Sequence, residues 1–305
     1  MQAWIPEEPA VPPQQHATGR FTLRYEDISQ DGHLVVEALP TALGEIWRRL
    51  DEGQRASFGS ERGVLPILSR VVVESGEGPV SVSGPTTTDG LYQLAHTVDA
   101  SGTVDRLILG MWSRVSSVIG RTNGAPPPDA GRAVIAGRVF AEHVFTRPFG
   151  PPDRRKVVAL EVGGRSVVPP DRWAFRDAEA TLTPPEGAVP LDDGLVPDAT
   201  YTVFGLDHTD SNQHTNSLVY PRLFIEAALR RLDAHGRARP PLLARRIEIA
   251  YRKPSFAGER VRVHTRLFMA GDAPFASQIL LSEEEAARPA GTVRPRVYAR
   301  ILFGG

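Results

Sequence analysis

The sequence has 305 residues, of which 41% are hydrophobic and 23% are charged, and its formal net charge is −1. This composition supports one large or two ordinary folded domains and excludes an intrinsically disordered chain. The small net charge gives no indication of a nucleic-acid partner. Because the sequence contains no cysteine, it excludes disulfide bonds, thiolate metal sites and a cysteine nucleophile.

The N-terminal sequence and the apolar runs bear on where the protein is found. The first residues, MQAWIPEEPAVPPQQ, contain neither a basic segment nor an apolar core, so we expect no signal peptide. No stretch approaches the roughly 18 apolar residues of a membrane-spanning helix, and we therefore predict a cytoplasmic protein. Residues 201–305 contain 15 arginines and one lysine against ten acidic residues, a net charge of +6. This surplus suits an anionic partner, and a solvated basic surface explains it as well.

The first part of the chain predicts a strand, a polar loop, a helix and then several strands. Residues 21–25 alternate between apolar and polar side chains, as a strand does, and a polar stretch covers residues 27–33. The apolar residues that follow fall on one face of a helix: Leu39, Leu43, Ile46, Trp47 and Leu50. β-rich runs joined by short turns then favour an antiparallel meander, at 64–73, 80–82, 91–98 and 106–119.

The same order of elements returns in the last third of the chain. Residues 121–200 contain 12 of the 27 prolines and predict strands at 133–145 and 156–162, followed by a connector. A strand at 201–206 and a polar loop at 207–217 precede a second helix, whose apolar face contains Leu223, Phe224, Ala227, Ala228 and Leu232. Further strands are predicted at 243–252, 260–270, 275–282 and 294–303. The repeat predicts an α+β fold in which an antiparallel sheet wraps around a helix, twice in one chain.

The polar loop before the second helix is the strongest candidate for a functional site. Asp, Ser, Thr and Asn are the residues that cap helix N-termini, and capping explains most of this segment. Capping does not require His214 between Asn212 and Asn216, four residues after Asp210. The histidine is therefore the residue that a purely structural interpretation leaves unexplained.

The pattern Asp210-x-Asn212-Gln213-His214-x-Asn216 resembles the motif of the acyl-acyl-carrier-protein thioesterases. In that family the motif lies in the second of two hotdog domains. The resemblance thus implies a double hotdog, an α+β fold with two antiparallel sheets that are each wrapped around a central helix. It divides the chain into an N-terminal hotdog at 1–165, a linker at 166–197 and a C-terminal hotdog at 198–305.

The start of the chain resembles a hotdog domain as well. Arg24-Tyr25-Glu26-Asp27, followed by Gly32-His33, is similar to a broader hotdog thioesterase signature. Apolar residues follow His33 where the second loop has polar ones. We therefore interpret the first loop, with its Asp27, Asp31 and His33, as structural rather than catalytic.

The resemblance implies hydrolysis of an acyl thioester, carried by acyl carrier protein or by CoA, to a free acid and a thiol. It implies that Asp210 activates water or attacks the carbonyl, with His214 in the same proton network. Asn212 would orient the water or Asp210, and Asn216 would place the loop or the carbonyl. Free amides at the start of the helix would stabilise the oxyanion.

The family context implies fatty-acid or polyketide biosynthesis, and a monomer or a homodimer. It implies no cofactor, no metal, no nucleic-acid partner and no contact with a membrane. The net positive C-terminal part would suit either the phosphopantetheine group of a carrier protein or CoA.

One feature departs from the family pattern. In the plant members a Glu follows the Tyr-Arg-basic triplet of the next strand, whereas here Pro254 follows Tyr251-Arg252-Lys253. Glu226 on the second helix is the candidate replacement, and an ion pair with a nearby arginine is the other interpretation of this residue.

Three alternatives remain open at this stage. A hotdog enoyl-thioester dehydratase or hydratase has a related motif with one more residue between its aspartate and histidine. A non-catalytic hotdog protein that binds an acyl group or a carrier protein would explain Pro254. A metal site is the weakest alternative, because the closely spaced Asp207, His208, Asp210 and His214 lie in a loop whose spacing fixes no ligand geometry.

Overall fold

The computed structural model describes residues 3–54, 58–59, 63–238, 242–289 and 292–304. Within these ranges the chain forms three α-helices and 15 strands. The helices are α1 (Gly44–Gln54), α2 (Val219–Ala234) and the short α3 (Glu283–Ala286). None of them is long and apolar enough to cross a membrane. The outermost residues of the predicted domains, 1 and 305, lie outside the described ranges.

The strands alternate with short turns over most of the chain. In order, they are β1 (His16–Arg20), β2 (Leu65–Ser75), β3 (Thr87–Val98), β4 (Val104–Val118), β5 (Ala133–Thr146), β6 (Leu160–Val162), β7 (Arg165–Val167), β8 (Asp171–Arg172), β9 (Val189–Pro190), β10 (Val196–Pro197), β11 (Thr202–Val203), β12 (Leu243–Tyr251), β13 (Arg260–Ala270), β14 (Ala273–Ser282) and β15 (Val297–Gly304). The long strands, β2 to β5 and β12 to β15, lie where the alternating runs predicted them.

Thirteen of these strands form a single sheet, and β6 and β7 form a separate hairpin. The order along the main sheet is β1-β3-β4-β5-β2-β12-β15-β14-β13-β10, with β9 and β11 also paired to β13 and β8 paired to β3. Every pair is antiparallel except β3 with β8. The order is the same when it is followed outwards in either direction from the central pair, β2 and β12.

The pairing of β2 with β12 corrects the prediction of two separate sheets. Val73 lies opposite Ile247 and Val71 lies opposite Ile249, in antiparallel register. An open strand edge would leave a row of backbone groups unpaired, and this pairing satisfies them at the junction of the two halves. The predicted α+β class, with a mainly antiparallel sheet and few helices, is confirmed.

The two long helices share one hydrophobic core. Ile46 and Leu50 of α1 belong to the same buried cluster as Phe224, Ala228 and Leu232 of α2. Helix α1 packs against β1 and β3, and α2 packs against β12 and β13. The apolar helical faces predicted from the sequence are therefore the faces that are buried.

The first strand begins five residues earlier than predicted. Strand β1 ends at Arg20, and residues 25–27 form a 3₁₀ turn instead of a strand. Asp27 causes the change, because its carboxylate accepts a hydrogen bond from the Arg24 amide (2.8 Å) and another from the Arg24 guanidinium (2.8 Å). These bonds fold the chain back where an alternating pattern alone predicts extension.

The predicted linker, residues 166–197, runs across the face of the sheet that points away from the helices. It pairs first with β3 through β8 and later with β13 through β9 and β10. Between these pairings the Trp173 indole donates to Glu142 (2.7 Å), and Arg176 lies 3.4 Å from Glu248. Both glutamates are buried, so this segment covers charged groups of both halves.

Candidate functional site

The loops that precede the two helices have the same backbone conformation. We call residues 25–35 the first loop and residues 206–216 the second loop. In the second loop the Asp210 amide donates to the His214 carbonyl (3.2 Å) and the Gln213 amide donates to the Asp210 carbonyl (2.9 Å). In the first loop Ser29 and His33 form the corresponding bond (2.8 Å).

Further contacts extend this correspondence over both loops. Isolated bridges join Ile28 to Leu34 and Thr209 to Thr215. The residue before each loop donates its amide to a side chain three positions later, Arg24 to Asp27 and Gly205 to His208 (3.0 Å). Gly32 and Gln213 both have positive φ, 89° and 64°. The two halves therefore present one turn in front of each helix.

The functional side chains of the second loop contact backbone atoms and form no Asp–His pair among the described residues. Oδ1 of Asp210 accepts the amide of Asn212 (2.8 Å), and the Asn212 side chain is exposed. Nδ1 of His214 lies 3.4 Å from the carbonyl oxygen of Thr215. Among the described residues, no hydrogen bond joins Asp210 to the His214 ring. The second oxygen of Asp210 and Nε2 of His214 are thus available to a ligand.

Asn216 closes a turn just before α2, whose N-cap residue is Leu218. Its Oδ1 accepts the amide of Leu218 (2.8 Å), and its carbonyl accepts the amide of Val219 (3.0 Å). Pro221 has no N–H to offer. The expectation of free amides for an oxyanion is therefore met only in part, because Asn216 already uses two of the first donors.

Buried aromatic rings support the second loop from behind. Tyr220 packs edge to face against Phe204 (6.0 Å) and Tyr251 (5.5 Å), and the Tyr251 hydroxyl donates to the Ser217 carbonyl (3.1 Å). Burial raises the pKa of Tyr220 and of Tyr251, so both phenols stay neutral. These rings fix the position of the loop relative to α2 and β12.

Ion pairs surround the strand end that follows Tyr251, where the sequence resemblance led us to expect a glutamate and Pro254 stands instead. Lys253 binds Glu285 (3.1 Å), and Arg296 binds both Glu285 (2.9 Å) and Glu259 (2.7 Å). The amide of Thr215 donates to the carbonyl of Ser255 (2.7 Å), which holds this segment against the second loop. The carboxylates beside the loop are therefore held in ion pairs.

Glu226 lies on α2, where it pairs with basic residues of the same helix and acts electrostatically on Glu37. Its carboxylate accepts a hydrogen bond from Arg222 (2.8 Å) and lies 3.8 Å from Arg230. Burial raises the pKa of Glu37, Arg222 opposes that shift, and the negative charge of Glu226 adds to it. Among the described residues, no hydrogen bond or ion pair connects Glu226 to the second loop. The ion-pair interpretation accounts for the contacts of Glu226, and its auxiliary catalytic role stays a prediction.

Two cavities stand out in the structure, and neither is lined by a residue of the second loop. The larger, of about 480 Å³, lies between the first loop and a turn that contains Arg121. The smaller, of about 170 Å³, includes Glu179, Arg252 and Tyr298. The sequence interpretation missed the first-loop cavity, although the hotdog-like residues up to Gly32 and His33 mark the same segment. Within the described part of the chain, no three His, Asp or Glu side chains are grouped as metal ligands.

Comparisons with known proteins bear on the fold. No family model matches the sequence, and no curated protein matches it. An acyl-ACP thioesterase from Bacteroides thetaiotaomicron is similar over 95% of this chain and 98% of its own, with a TM-score of 0.55 and 13% identity. A 12:0-ACP thioesterase from Umbellularia californica is similar over 95% of this chain and 94% of its own, with a TM-score of 0.57 and 14% identity. The chain has the fold of these thioesterases. At such identities the likeness establishes the fold, and the reaction has to be argued from the site.

Proposed function

We propose that this chain hydrolyses acyl thioesters to a free acid and a thiol at the second loop. The observation that carries the proposal is the position of Asp210 and His214 on one tight turn at the start of a buried helix. The turn occurs in a chain that shares its fold with thioesterases along 95% of its length. The fold supplies the scaffold, and the turn supplies a carboxylate and an imidazole with uncommitted atoms.

The architecture that we propose is a double hotdog with the boundaries predicted from the sequence. Residues 1–165 form the N-terminal hotdog, 166–197 the linker and 198–305 the C-terminal hotdog, each hotdog with a central helix. Support comes from the matching strand order on both sides of the β2–β12 pair and from the matching loops. In this arrangement the linker covers the sheet instead of hanging free.

In the reaction that we propose, Asp210 and His214 divide the proton transfers. Asp210 takes a proton from water, and the hydroxide attacks the thioester carbonyl carbon. The carbon–sulfur bond then breaks, and protonated His214 gives its proton to the departing sulfur. Asn212 orients the water, and Asn216 holds the loop against α2 by accepting the amides of Leu218 and Val219. A covalent route uses the same residues: Asp210 attacks the carbonyl carbon, the carbon–sulfur bond breaks as His214 protonates the departing sulfur, and water then hydrolyses the resulting anhydride.

The proposed substrate is a fatty acyl thioester of acyl carrier protein or of CoA. The two similar structures are named for acyl-ACP and 12:0-ACP, so carrier-protein thioesters are the first to test. The net charge of +6 in residues 201–305 suits the phosphate of either carrier. A role in fatty-acid or polyketide biosynthesis, a cytoplasmic location and a homodimer stay predictions.

A non-catalytic role is the second candidate, and specific observations favour it. Asp210 and Asn216 both have structural hydrogen bonds, and Lys253-Pro254 replaces the glutamate that the resemblance leads us to expect. A protein of this kind would bind acyl thioesters without releasing thiol.

The deciding experiment measures thiol release from acyl-ACP and acyl-CoA substrates of several chain lengths. We expect Asp210→Asn and His214→Ala to lower kcat/KM by about 10²–10⁴-fold, the usual contribution of general acid–base catalysis. His33→Ala is the matched control, because His33 has the same position in the first loop, and we expect it to leave the rate unchanged.

Each other outcome points to a different function. Binding without thiol release in the wild-type protein would support the non-catalytic candidate. Interconversion of enoyl and hydroxyacyl thioesters would indicate a hydratase. An equal loss in His33→Ala and His214→Ala would contradict the assignment to the second loop. Single-turnover hydrolysis in ¹⁸O-water tests the covalent route, because ¹⁸O enters the Asp210 carboxylate only when water attacks the Asp210 carbonyl carbon of the anhydride.

A further inference from the structure

The larger cavity has the size and position of a small-molecule site. Its volume of about 480 Å³ lies within the roughly 300–1,000 Å³ that ligand pockets occupy. Residues of the first loop form one wall, and Arg121, Thr122 and Asn123 in the connection between β4 and β5 form the other. The proposed reaction at the second loop leaves this cavity without a role.

The charge on the walls is positive and unbalanced. Among the described residues that line the cavity, Arg121 is the only charged one, and none is a carboxylate. Within the described ranges, the Arg121 side chain has no hydrogen-bond or ion-pair partner. The nearby Asp31 carboxylate is already occupied, since it lies 3.1 Å from Nδ1 of His33 and 3.3 Å from Arg245. Arg121 is exposed, and because none of its N–H donors is used by the described part of the protein, they can be directed at an anion bound beside the cavity wall.

Neutral donors surround this cation. Oγ1 of Thr122 accepts the amide of Val82 (3.1 Å), which leaves its hydroxyl hydrogen free to donate. Gln30 and Asn123 also line the cavity and are exposed, and their side-chain amides have no partner among the residues that the structure describes. A phosphate monoester offers three terminal oxygens and nearly two negative charges, and so uses such a donor set more fully than a carboxylate does.

The remaining wall is apolar. Ile28, Val80 and Val82 line the cavity, and Tyr25 stands at its rim with 71% of its surface exposed. An exposed aromatic ring beside an anion site can pack against a flat or apolar group of the same ligand. The walls thus combine an oxyanion site with an apolar contact surface.

We propose that this cavity binds a phosphate monoester that carries an apolar or aromatic group, at a site separate from the second loop. The inference does not depend on the proposed hydrolysis, because it concerns the first half and a different ligand contact. Two sources carry this chemistry, a nucleotide and the phosphopantetheine arm of a thiol carrier. The Arg121 guanidinium binds the phosphate in both cases.

The experiment titrates the full-length protein with three probes by calorimetry and by ³¹P NMR. The probes are inorganic phosphate, adenosine 3′,5′-bisphosphate and pantetheine 4′-phosphate. We expect the organic phosphates to bind at least about tenfold more tightly than inorganic phosphate, because only they reach the apolar wall. The tighter of the two organic probes identifies the source.

Variants test whether the binding occurs in this cavity. We expect Arg121→Gln to raise the Kd of the tighter probe by about tenfold or more, since it removes a charge-assisted hydrogen bond. Arg165→Gln is the matched control, an exposed arginine on the separate β6–β7 hairpin that lines neither cavity. An unchanged Tm in both variants shows that the fold is intact.

Two results would overturn the proposal. One is the absence of binding by all three probes at millimolar concentration, and the other is an equal loss of binding in Arg121→Gln and Arg165→Gln. Binding is also measured in Asp210→Asn, where we expect an unchanged Kd. A chain that binds phosphate esters without hydrolysing thioesters, or the reverse, therefore separates this inference from the proposed function.

Discussion

The first and second loops have the same backbone hydrogen bonds and different side chains. In both loops a histidine closes the turn, whereas the acidic residue stands two positions before it in the first and four positions before it in the second. The corresponding pairs are Ser29 and Asp210, Asp31 and Asn212, Gly32 and Gln213, His33 and His214, and Val35 and Asn216. The fold therefore determines the backbone conformation of the turn, and a few substitutions within the turn determine which side chains are available for chemistry.

The charges of the two loops are used in opposite ways. In the first loop Asp31 lies against His33 and Arg245, so its charge is compensated inside the protein. In the second loop the Asp210 carboxylate accepts, among the described residues, only the backbone amide of Asn212, and the ring of His214 lies beside a backbone carbonyl. Reactive atoms are therefore free in the second loop, while the larger cavity opens beside the first.

The junction between the halves should give the largest effect on stability. Glu248 is completely buried on β12, where Arg300 donates to it (2.7 Å) and Arg70 lies 3.6 Å away. We expect Glu248→Ala to lower the free energy of unfolding by about 3–5 kcal/mol, because it leaves buried arginines without compensation. Urea denaturation measures the change.

A surface pair provides the control for this prediction. Glu283 lies 3.6 Å from Arg260 with about half of each side chain exposed, and we expect Glu283→Ala to change stability by less than about 1 kcal/mol. If both variants lost the same amount, the buried network would not hold the halves together. Two separate unfolding transitions in Glu248→Ala would show that the halves can unfold independently.

A buried histidine in the first half predicts that the stability of the protein falls in acid. Burial lowers the pKa of His143 to about 4 from its ordinary value of 6.5. The folded state keeps this ring neutral while the unfolded chain takes up a proton, so stability falls as the pH drops from 6.5 to 4. The difference between these two pKa values lowers the free energy of unfolding by about 3 kcal/mol at pH 4, relative to neutral pH.

Unfolding curves recorded between pH 7 and pH 4 test this response. We expect His143→Phe, which keeps the ring packed against Trp47, to lose much of the acid sensitivity. His235→Phe is the control variant. Nε2 of His235 lies 2.9 Å from Asp192 at the end of α2, and we expect this variant to keep the acid sensitivity that His143 causes. A His143→Phe curve parallel to that of the wild type would contradict the explanation.

Local patterns in the sequence predicted the helices and the long strands. The spacing of Ile46 and Leu50 predicted the buried face of α1, because a helical period needs only neighbouring residues, whereas Leu39 lies in the 3₁₀ turn just before the helix. The prediction failed where the structure depends on a contact between residues far apart in the sequence or on a side-chain hydrogen bond. The pairing of Val72 with Glu248 joins two strands that are far apart in the sequence. The hydrogen bond between Arg24 and Asp27 forms a turn where the alternating pattern predicted a strand.

The candidate site was predictable in part, for the same reason. A motif identified the second loop, since Asp210, His214 and Asn216 are close in sequence. The cavity at the first loop needs Tyr25 and Arg121, which only the folded sheet brings together. The likeness of the two loops was also hidden, because it lies in hydrogen bonds of the backbone and not in residue identity.

The residue at the positive-φ position should tolerate change in one loop and not in the other. An ideal Cβ on Gly32 would lie 2.3 Å from Cβ of Pro79, at a φ of 89°. Gln213 already has a side chain at a φ of 64°, and that side chain is exposed. We expect Gly32→Ala to lower the free energy of unfolding by about 1–3 kcal/mol, because it adds backbone strain and a close contact.

The reciprocal variant, Gln213→Gly, should change stability by less than about 0.5 kcal/mol. Glycine relieves left-handed strain of about 1 kcal/mol, and the greater freedom of the unfolded chain offsets most of that gain. Urea denaturation of both variants measures the asymmetry. Equal losses would mean that the second loop is packed as tightly as the first, and its backbone would then have no room to adjust around a substrate at Asp210 and His214.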